Sequence, residues 1–231
     1  GSITFEPEKE TYSSGEKVSF SADPINNYLL GYWEFVKRDN IKLDPNFTMN
    51  MLHDTDITAV FGEKLFTDNF TDDKGWTSSS YGYEELNYLA NKEELQLKLT
   101  EKENEETTIG MAYPPLPDNF SPPNSYFLKT DFKLVSENGL YAILFMGENG
   151  ENYYQLFFDE KDMYYSLWYR GEPQEKITKD SIENILNPGS YNTIAVEKND
   201  NLFSFFLNGH FLTKQKFDTS VEYSISAEVI S

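Results

Sequence analysis

Residues 152–170, NYYQLFFDEKDMYYSLWYR, constrain the fold more than any other stretch of the chain. Eleven of these nineteen residues are apolar or aromatic, in two runs, and the polar turn Asp159-Glu160-Lys161-Asp162 separates the runs. Aromatic side chains cover a pleated, half-buried surface well, so both runs read as strands of a hairpin. Side chains alternate across a sheet, which gives each strand two faces. Tyr154, Leu156 and Phe158 share one face with Tyr165, Leu167 and Tyr169. Tyr153, Gln155 and Phe157 lie on the other, as do Tyr164, Ser166, Trp168 and Arg170. The first set fills a core. The second mixes rings with Gln and Arg, and this alternation fits both a sugar-binding platform and the inner wall of a second packed layer.

The rest of the chain supports an all-β reading. Its 231 residues suffice for one large β domain or two smaller ones, and at 39% hydrophobic it can bury a sizeable core. The 39 acids against 19 bases leave a net charge of −20. That balance argues against nucleic acid and anionic membrane surfaces as partners, because both repel a polyanion. It fits a soluble, extracellular or cell-surface protein, or one that attracts cations. With no cysteine there is no disulfide, zinc-thiolate or thiol chemistry. No apolar run approaches the length of a membrane span, so membrane insertion is not expected. Gly1-Ser2 reads as a tag remnant and is set aside.

In chain order, residues 3–62 form a first unit of short strands punctuated by turns. Strands are expected near 3–5, 17–22, 28–36, 48–51 and 57–61, with a turn at Ser13-Ser14-Gly15-Glu16. The segments Gly15-x-x-Val18-x-Phe20-x-Ala22, Gly31-Tyr32-Trp33-x-Phe35, Phe47-Thr48-Met49 and Asp56-Ile57-Thr58-Ala59-Val60-Phe61 resemble a divergent internalin-type B-repeat. That resemblance implies a small spacer repeat of a bacterial surface protein, covering nearly all of residues 3–62.

Residues 63–231 read as a second unit, joined through Glu63-Lys64 with no flexible linker. Strands are expected at about 86–90, 94–100, 126–135, 140–147, 152–158, 164–170, 191–197, 202–207, 210–214 and 223–230. A charged turn spans 101–106, the proline-rich run 114–123 is not a central strand, and Asn138-Gly139, Asn149-Gly150 and Asn208-Gly209 mark tight hairpin turns. Residues 171–190 are expected to leave the sheet. Asp180 and Glu183 have capping-box spacing, and Ile182, Ile185 and Leu186 fall at i, i+3 and i+4, so one or two helical turns are expected there. Phe66-x-Asp68-Asn69-Phe70 with Gly75-Trp76, then Asn152-Tyr153-Tyr154-x-Leu156, Tyr191-Asn192-x-Ile194-x-Val196 and Phe205-Phe206-Leu207-Asn208-Gly209 resemble a concanavalin-like or laminin G-like jelly roll. The superfamily holds sugar-binding and adhesin modules and some glycoside hydrolases. Related modules often end on a strand that pairs near the first, and nothing after 226–231 supplies a further one.

The candidate sites follow from these readings. Retaining glycosidases need two carboxyls ~5–5.5 Å apart. The resemblance places them on one strand as Glu-x-Asp-x-x-Glu, a run that is absent here. Glu148, Glu151, Asp159 and Asp162 fall in turns, so no catalysis is expected. Asp68, Asn69, Asp72 and Asp73 cluster before Trp76. They read as turn residues, with Asp68, Asp72 and Asp73 the alternative of a calcium site, since calcium takes six to eight hard oxygen ligands. No other cofactor is expected, and His53 and His210 lie in different units. Trp33 and Trp76 read as structural.

The sequence therefore implies two domains, 3–62 and 63–231: a small β repeat followed by an antiparallel β-sandwich. The expected function is a non-catalytic carbohydrate-binding or adhesion module, with a glycan held by Tyr153, Gln155, Phe157, Tyr164, Trp168 and Arg170. The alternative is a structural or protein-binding stalk, with a glycoside hydrolase third.

Overall fold

The computed structural model describes residues 1–36, 40–72, 74–81, 83–89, 94–100, 109–113, 115, 123–133, 140–146, 153–159, 161–170, 175–217 and 225–230. Eighteen strands lie among the described residues, and no helix does. They are β1 (Ser2–Glu6), β2 (Glu16–Asp23), β3 (Tyr28–Phe35), β4 (Asn46–Met51), β5 (Ile57–Glu63), β6 (Thr77–Tyr81), β7 (Tyr83–Leu89), β8 (Glu94–Thr100) and β9 (Ile109–Tyr113). The second half adds β10 (Ser125–Phe132), β11 (Leu140–Met146), β12 (Tyr153–Asp159), β13 (Tyr164–Arg170), β14 (Glu175–Ser181), β15 (Asn192–Asn199), β16 (Leu202–Leu207), β17 (His210–Lys216) and β18 (Ile225–Ile230). The chain divides into two compact units, each assembled from separate stretches. One comprises Gly1–Leu65, Asn124–Phe132 and Asn192–Lys216. The other comprises Phe66–Pro123, Lys133–Tyr191 and Phe217–Ser231.

The first unit holds a three-stranded sheet in the order β1-β2-β4, the pair β3-β5, and a four-stranded sheet in the order β10-β15-β16-β17. Alternation along β2 points Val18 and Ala22 inward. On β3 both faces are used. Trp33 and Phe35 join Ala22, Phe20 and Phe47 in one cluster. Tyr32, one residue along, faces the opposite way, into a cluster with Ile41, Ala195 and Phe206 that also takes in Leu43, Val60, Phe127 and Phe211. A strand with two buried faces needs apolar residues in succession, and Tyr32-Trp33 supplies them. Gly31 is the extra residue of a bulge between Leu30 and Tyr32. A Cβ there would sit 3.3 Å from the Phe127 ring, so the glycine lets β3 approach β10 closely.

Polar contacts tie residues 1–65 to the four-stranded sheet as well. Tyr32 Oη donates to Glu197 at 2.6 Å, and Ile41 N–H donates to the Gly209 carbonyl at 2.9 Å. Burial, then the Glu197 carboxylate, push the Tyr32 phenol far above its ordinary value, so this hydroxyl remains a donor at any physiological pH. Asn208 and Gly209 both take positive φ, 51° and 80°, the left-handed pair that a tight hairpin turn requires. A Cβ on Gly209 would lie 2.4 Å from the Ile41 carbonyl oxygen. Gly209→Ala is therefore expected to destabilise this unit by more than the roughly 1–2 kcal/mol of the left-handed conformation alone. Urea unfolding measures this, and a loss below that range would mean that the 41–209 contact relaxes.

The second unit is built on a seven-stranded sheet in the order β14-β13-β12-β11-β18-β9-β6, beside the hairpin β7-β8. Leu156, Phe158 and Leu167 are fully buried on one face, with Tyr165 almost so. Phe217 stacks on Tyr154 of the same face at 3.6 Å, and Tyr154 meets Tyr169 at 5.3 Å. The Asp159–Asp162 turn forms as expected, because Asp159 Oδ1 accepts the N–H groups of both Lys161 and Asp162 at 2.9 Å.

Two expectations are corrected. Residues 171–190 do not all leave the sheet: 175–181 form β14, an edge strand paired with β13. Four of its seven residues are charged, and edge strands use charge to resist further pairing, which hides the strand pattern. The expected helical turns at 180–186 shrink to a single turn, closed by the N–H groups of Ile185 and Leu186 on the Ile182 carbonyl. Asp180 and Ser181 belong to β14, and the Ser181 hydroxyl, not Asp180, accepts the Glu183 N–H. Strands β6 and β9 are additions to the expected set. The last strand, β18, lies between β11 and β9, inside the sheet. The charged run 101–106, the Asn138-Gly139 and Asn149-Gly150 turns, and the proline-rich run apart from Pro115 and Pro123 lie outside the described residues.

Candidate functional site

The site is assembled by the register of three strands. Across β12 and β13 the pairs are Tyr153↔Arg170, Gln155↔Trp168, Phe157↔Ser166 and Asp159↔Tyr164. By this register, all six residues expected to form the platform share one face of the sheet. They do not share one environment. Gln155 is 2% and Phe157 6% exposed, and Ser166 between them is also buried. Trp168 and Tyr164 are half-buried. Tyr153 and Arg170 are placed by backbone register alone, and their side chains lie outside the described set. The accessible part of the expected platform is thus the β13–β14 margin, and Gln155 and Phe157 belong to a covered part of the face.

At that margin Trp168 Nε1 donates to Ser166 Oγ at 2.9 Å, which fixes the ring's tilt. Lys176 Nζ stands 5.3 Å from the Trp168 ring centre, and Lys179 Nζ stands 3.3 Å from that of Tyr164. Such cation–ring contacts hold flexible lysines in place with about 0.5–1 kcal/mol at exposed sites. Burial, then the charge of Asp159, raise the Tyr164 phenol above its ordinary value. The two lysines are the residues that sequence reasoning missed, because the charged run 175–181 does not read as a strand.

Within the acidic cluster, Asp68 is engaged inside its own loop. Asp68 Oδ2 accepts Trp76 Nε1 at 2.7 Å, Oδ1 accepts Phe70 N–H at 2.8 Å, and Lys74 Nζ lies 3.2 Å from Oδ1. Phe70 and Phe66 pack against the Trp76 ring. Asp68 thus closes the 68–76 loop around Trp76. Burial raises its pKa, but the donated hydrogen bonds and Lys74 outweigh burial, and the net value is lowered. A carboxyl whose folded pKa lies below its unfolded one contributes stability above the unfolded value and loses it as pH falls through the folded value. Asp68→Asn is therefore expected to lower the melting temperature at neutral pH, with the gap to the parent closing below the ordinary carboxylate range. A gap that is constant with pH would reject this role. No group of three or more His, Cys, Asp or Glu gathers for a metal among the described residues, which do not include Asp73.

Comparison with known proteins bears on the fold. A Bacillus subtilis protein of unknown function with a galectin-like fold superposes with a TM-score of 0.55 at 13% identity, covering 72% of this chain and 88% of its own. The fold is a galectin-like jelly roll. The carbohydrate-binding module CBM66 from Bacillus subtilis superposes at 0.46 with 12% identity, covering 68% of this chain and 90% of its own. Bacillus licheniformis beta-glucanase gives 0.45 at 10% identity, covering 71% and 82%. No family model matches the chain, and no curated protein sequence does. The likeness of residues 3–62 to internalin-type repeats stays a resemblance of sequence.

Proposed function

We propose that the protein is a non-catalytic carbohydrate-binding module of a secreted or cell-surface protein, in which residues 3–62 act as a spacer. The observation that carries this reading is the half-exposed pair Trp168 and Tyr164 on one sheet face of a jelly roll. A sugar presents a C–H face to stack on such rings and hydroxyls for the polar groups beside them. Of the acids expected in turns, Asp159 uses Oδ1 to hold its own turn. No helix among the described residues is long and apolar enough to cross a membrane.

A glycan array combined with a reducing-sugar release assay tests the proposal. Binding without release is the expected result. Release of sugar would make the protein a hydrolase. Absence of binding would leave the stalk reading, in which the contacts of Tyr32 and Ile41 with the four-stranded sheet serve mechanical spacing. The module is also read as independent of calcium, because Asp68 is already committed to Trp76, Phe70 and Lys74. Its melting temperature is expected to be the same with millimolar calcium and with chelator. A native-state ligand raises it by mass action, so a rise with calcium would restore the Asp68–Asp72–Asp73 site.

A further inference from the structure

Resting on the carbohydrate-binding reading, we propose that the ligand is an anionic polysaccharide, one whose sugars carry carboxylate groups, recognised by Lys176 and Lys179 at the edge of the Trp168–Tyr164 platform. Lys176 and Lys179 lie on the edge strand β14. They are three residues apart, and in a regular strand an odd separation sends two side chains to opposite faces. The register does not stay regular. Leu167 pairs with Thr178, but Trp168 pairs with Lys176, so Ile177 is the extra residue of a bulge in β14. The bulge turns Lys176 onto the face that Lys179 already occupies. Lys179 pairs with Ser166 and Lys176 with Trp168, both on the platform side, and each ammonium stands over a platform ring.

The acids of the same strand fall the other way. Glu175 pairs with Tyr169 and Asp180 with Tyr165, register positions of the opposite face. Without the bulge, Lys176 would change sides and the charges of β14 would no longer be sorted by sign. Bulges that re-aim side chains are over-represented at sheet edges and binding sites. In a chain of net charge −20, two exposed lysines set beside half-exposed rings form a local exception to the overall charge. A stacked sugar and an ammonium at its rim suit a ligand that offers a ring face and an anion together. Repulsion from the rest of the protein is screened beyond about 8 Å at physiological salt, whereas contact pairs keep most of their strength.

Among the described residues, Asp159 lies on the platform side, opposite Tyr164, and its Oδ1 is held by the N–H groups of Lys161 and Asp162. Asp162 lies in the same turn and adds to the negative charge around Tyr164.

The test uses the full chain in affinity electrophoresis and calorimetry against a panel of neutral polysaccharides, polygalacturonate, its methyl ester and dextran sulfate. The expected result is binding to polygalacturonate that falls about tenfold or more on esterification and weakens with added salt. Exposed ion pairs are individually weak, so the double variant Lys176→Gln/Lys179→Gln is expected to lose about tenfold, and its residual binding should no longer depend on salt. Both lysines are exposed, and an unchanged melting temperature checks that the variant is folded. Equal binding of acid and ester, binding confined to neutral polymers, or full affinity in the double variant overturns the proposal while leaving carbohydrate binding intact. Preference for dextran sulfate over polygalacturonate overturns the assignment to carboxylates. No binding to any polysaccharide overturns this proposal and the carbohydrate-binding reading together.

Discussion

Trp33→Ala is expected to destabilise the first unit by ~3–5 kcal/mol, the usual cost of removing a buried tryptophan. The ring is fully buried. It meets Phe47 edge-on at 5.1 Å and 72°, and Phe20 at 6.2 Å and 69°, while Phe20 and Phe47 stack on each other at 5.0 Å. Its Nε1 donates to the Asp44 carbonyl at 3.0 Å, and its backbone forms a bridge with Lys42. Truncation therefore opens a cavity between β2, β3 and β4 and removes the donor that holds the chain at Asp44. Trp33→Phe keeps most of the ring and loses only the donor, so its expected cost is smaller, about 1–3 kcal/mol for the acceptor left unmade. Denaturant unfolding of both variants, read by circular dichroism, separates the two contributions. Were Trp33→Ala to cost less than Trp33→Phe, packing around this ring would not be what holds the unit together.

Trp168→Ala is expected to behave in the opposite manner. A central aromatic in a binding surface typically carries a few kcal/mol, so affinity for the glycan identified by array should fall at least roughly tenfold. Stability should change little, because the ring is only half-buried. Calorimetric titration paired with a thermal melt reads both quantities on one sample. A variant that unfolds, or that keeps full affinity, would place Trp168 in the packed interior with Gln155 and Phe157 and dismiss the platform.

Much of the fold was legible in the chain. Alternation in residues 152–158 and 164–170 located β12 and β13 and sorted their side chains onto the correct faces, because the period of a strand is two whatever surrounds it. Asn208-Gly209 announced its hairpin, since few other residue pairs take two positive φ angles without strain. What failed were elements whose local pattern is ambiguous. Ile182, Ile185 and Leu186 have helical spacing, but only one turn closes there, because pairing with β13 carries the strand as far as Ser181. In β14, charge masked the strand and with it the two lysines.

The sequence by itself determined that this protein is all-β and which residues of the aromatic hairpin share a face. Each of these follows from interactions between near neighbours or from the demand that apolar surface be buried. Only the tertiary structure decided how far each face is covered, and so which of six co-facial residues remain accessible. Tertiary structure alone also decided that Tyr32 turns toward Ala195 and Phe206, that Asp68 holds Trp76, and that a bulge at Ile177 brings Lys176 and Lys179 to one side. The reason is common to all four. Burial, hydrogen-bond pairing and register depend on partners far away in the chain, and no local pattern encodes which partner arrives.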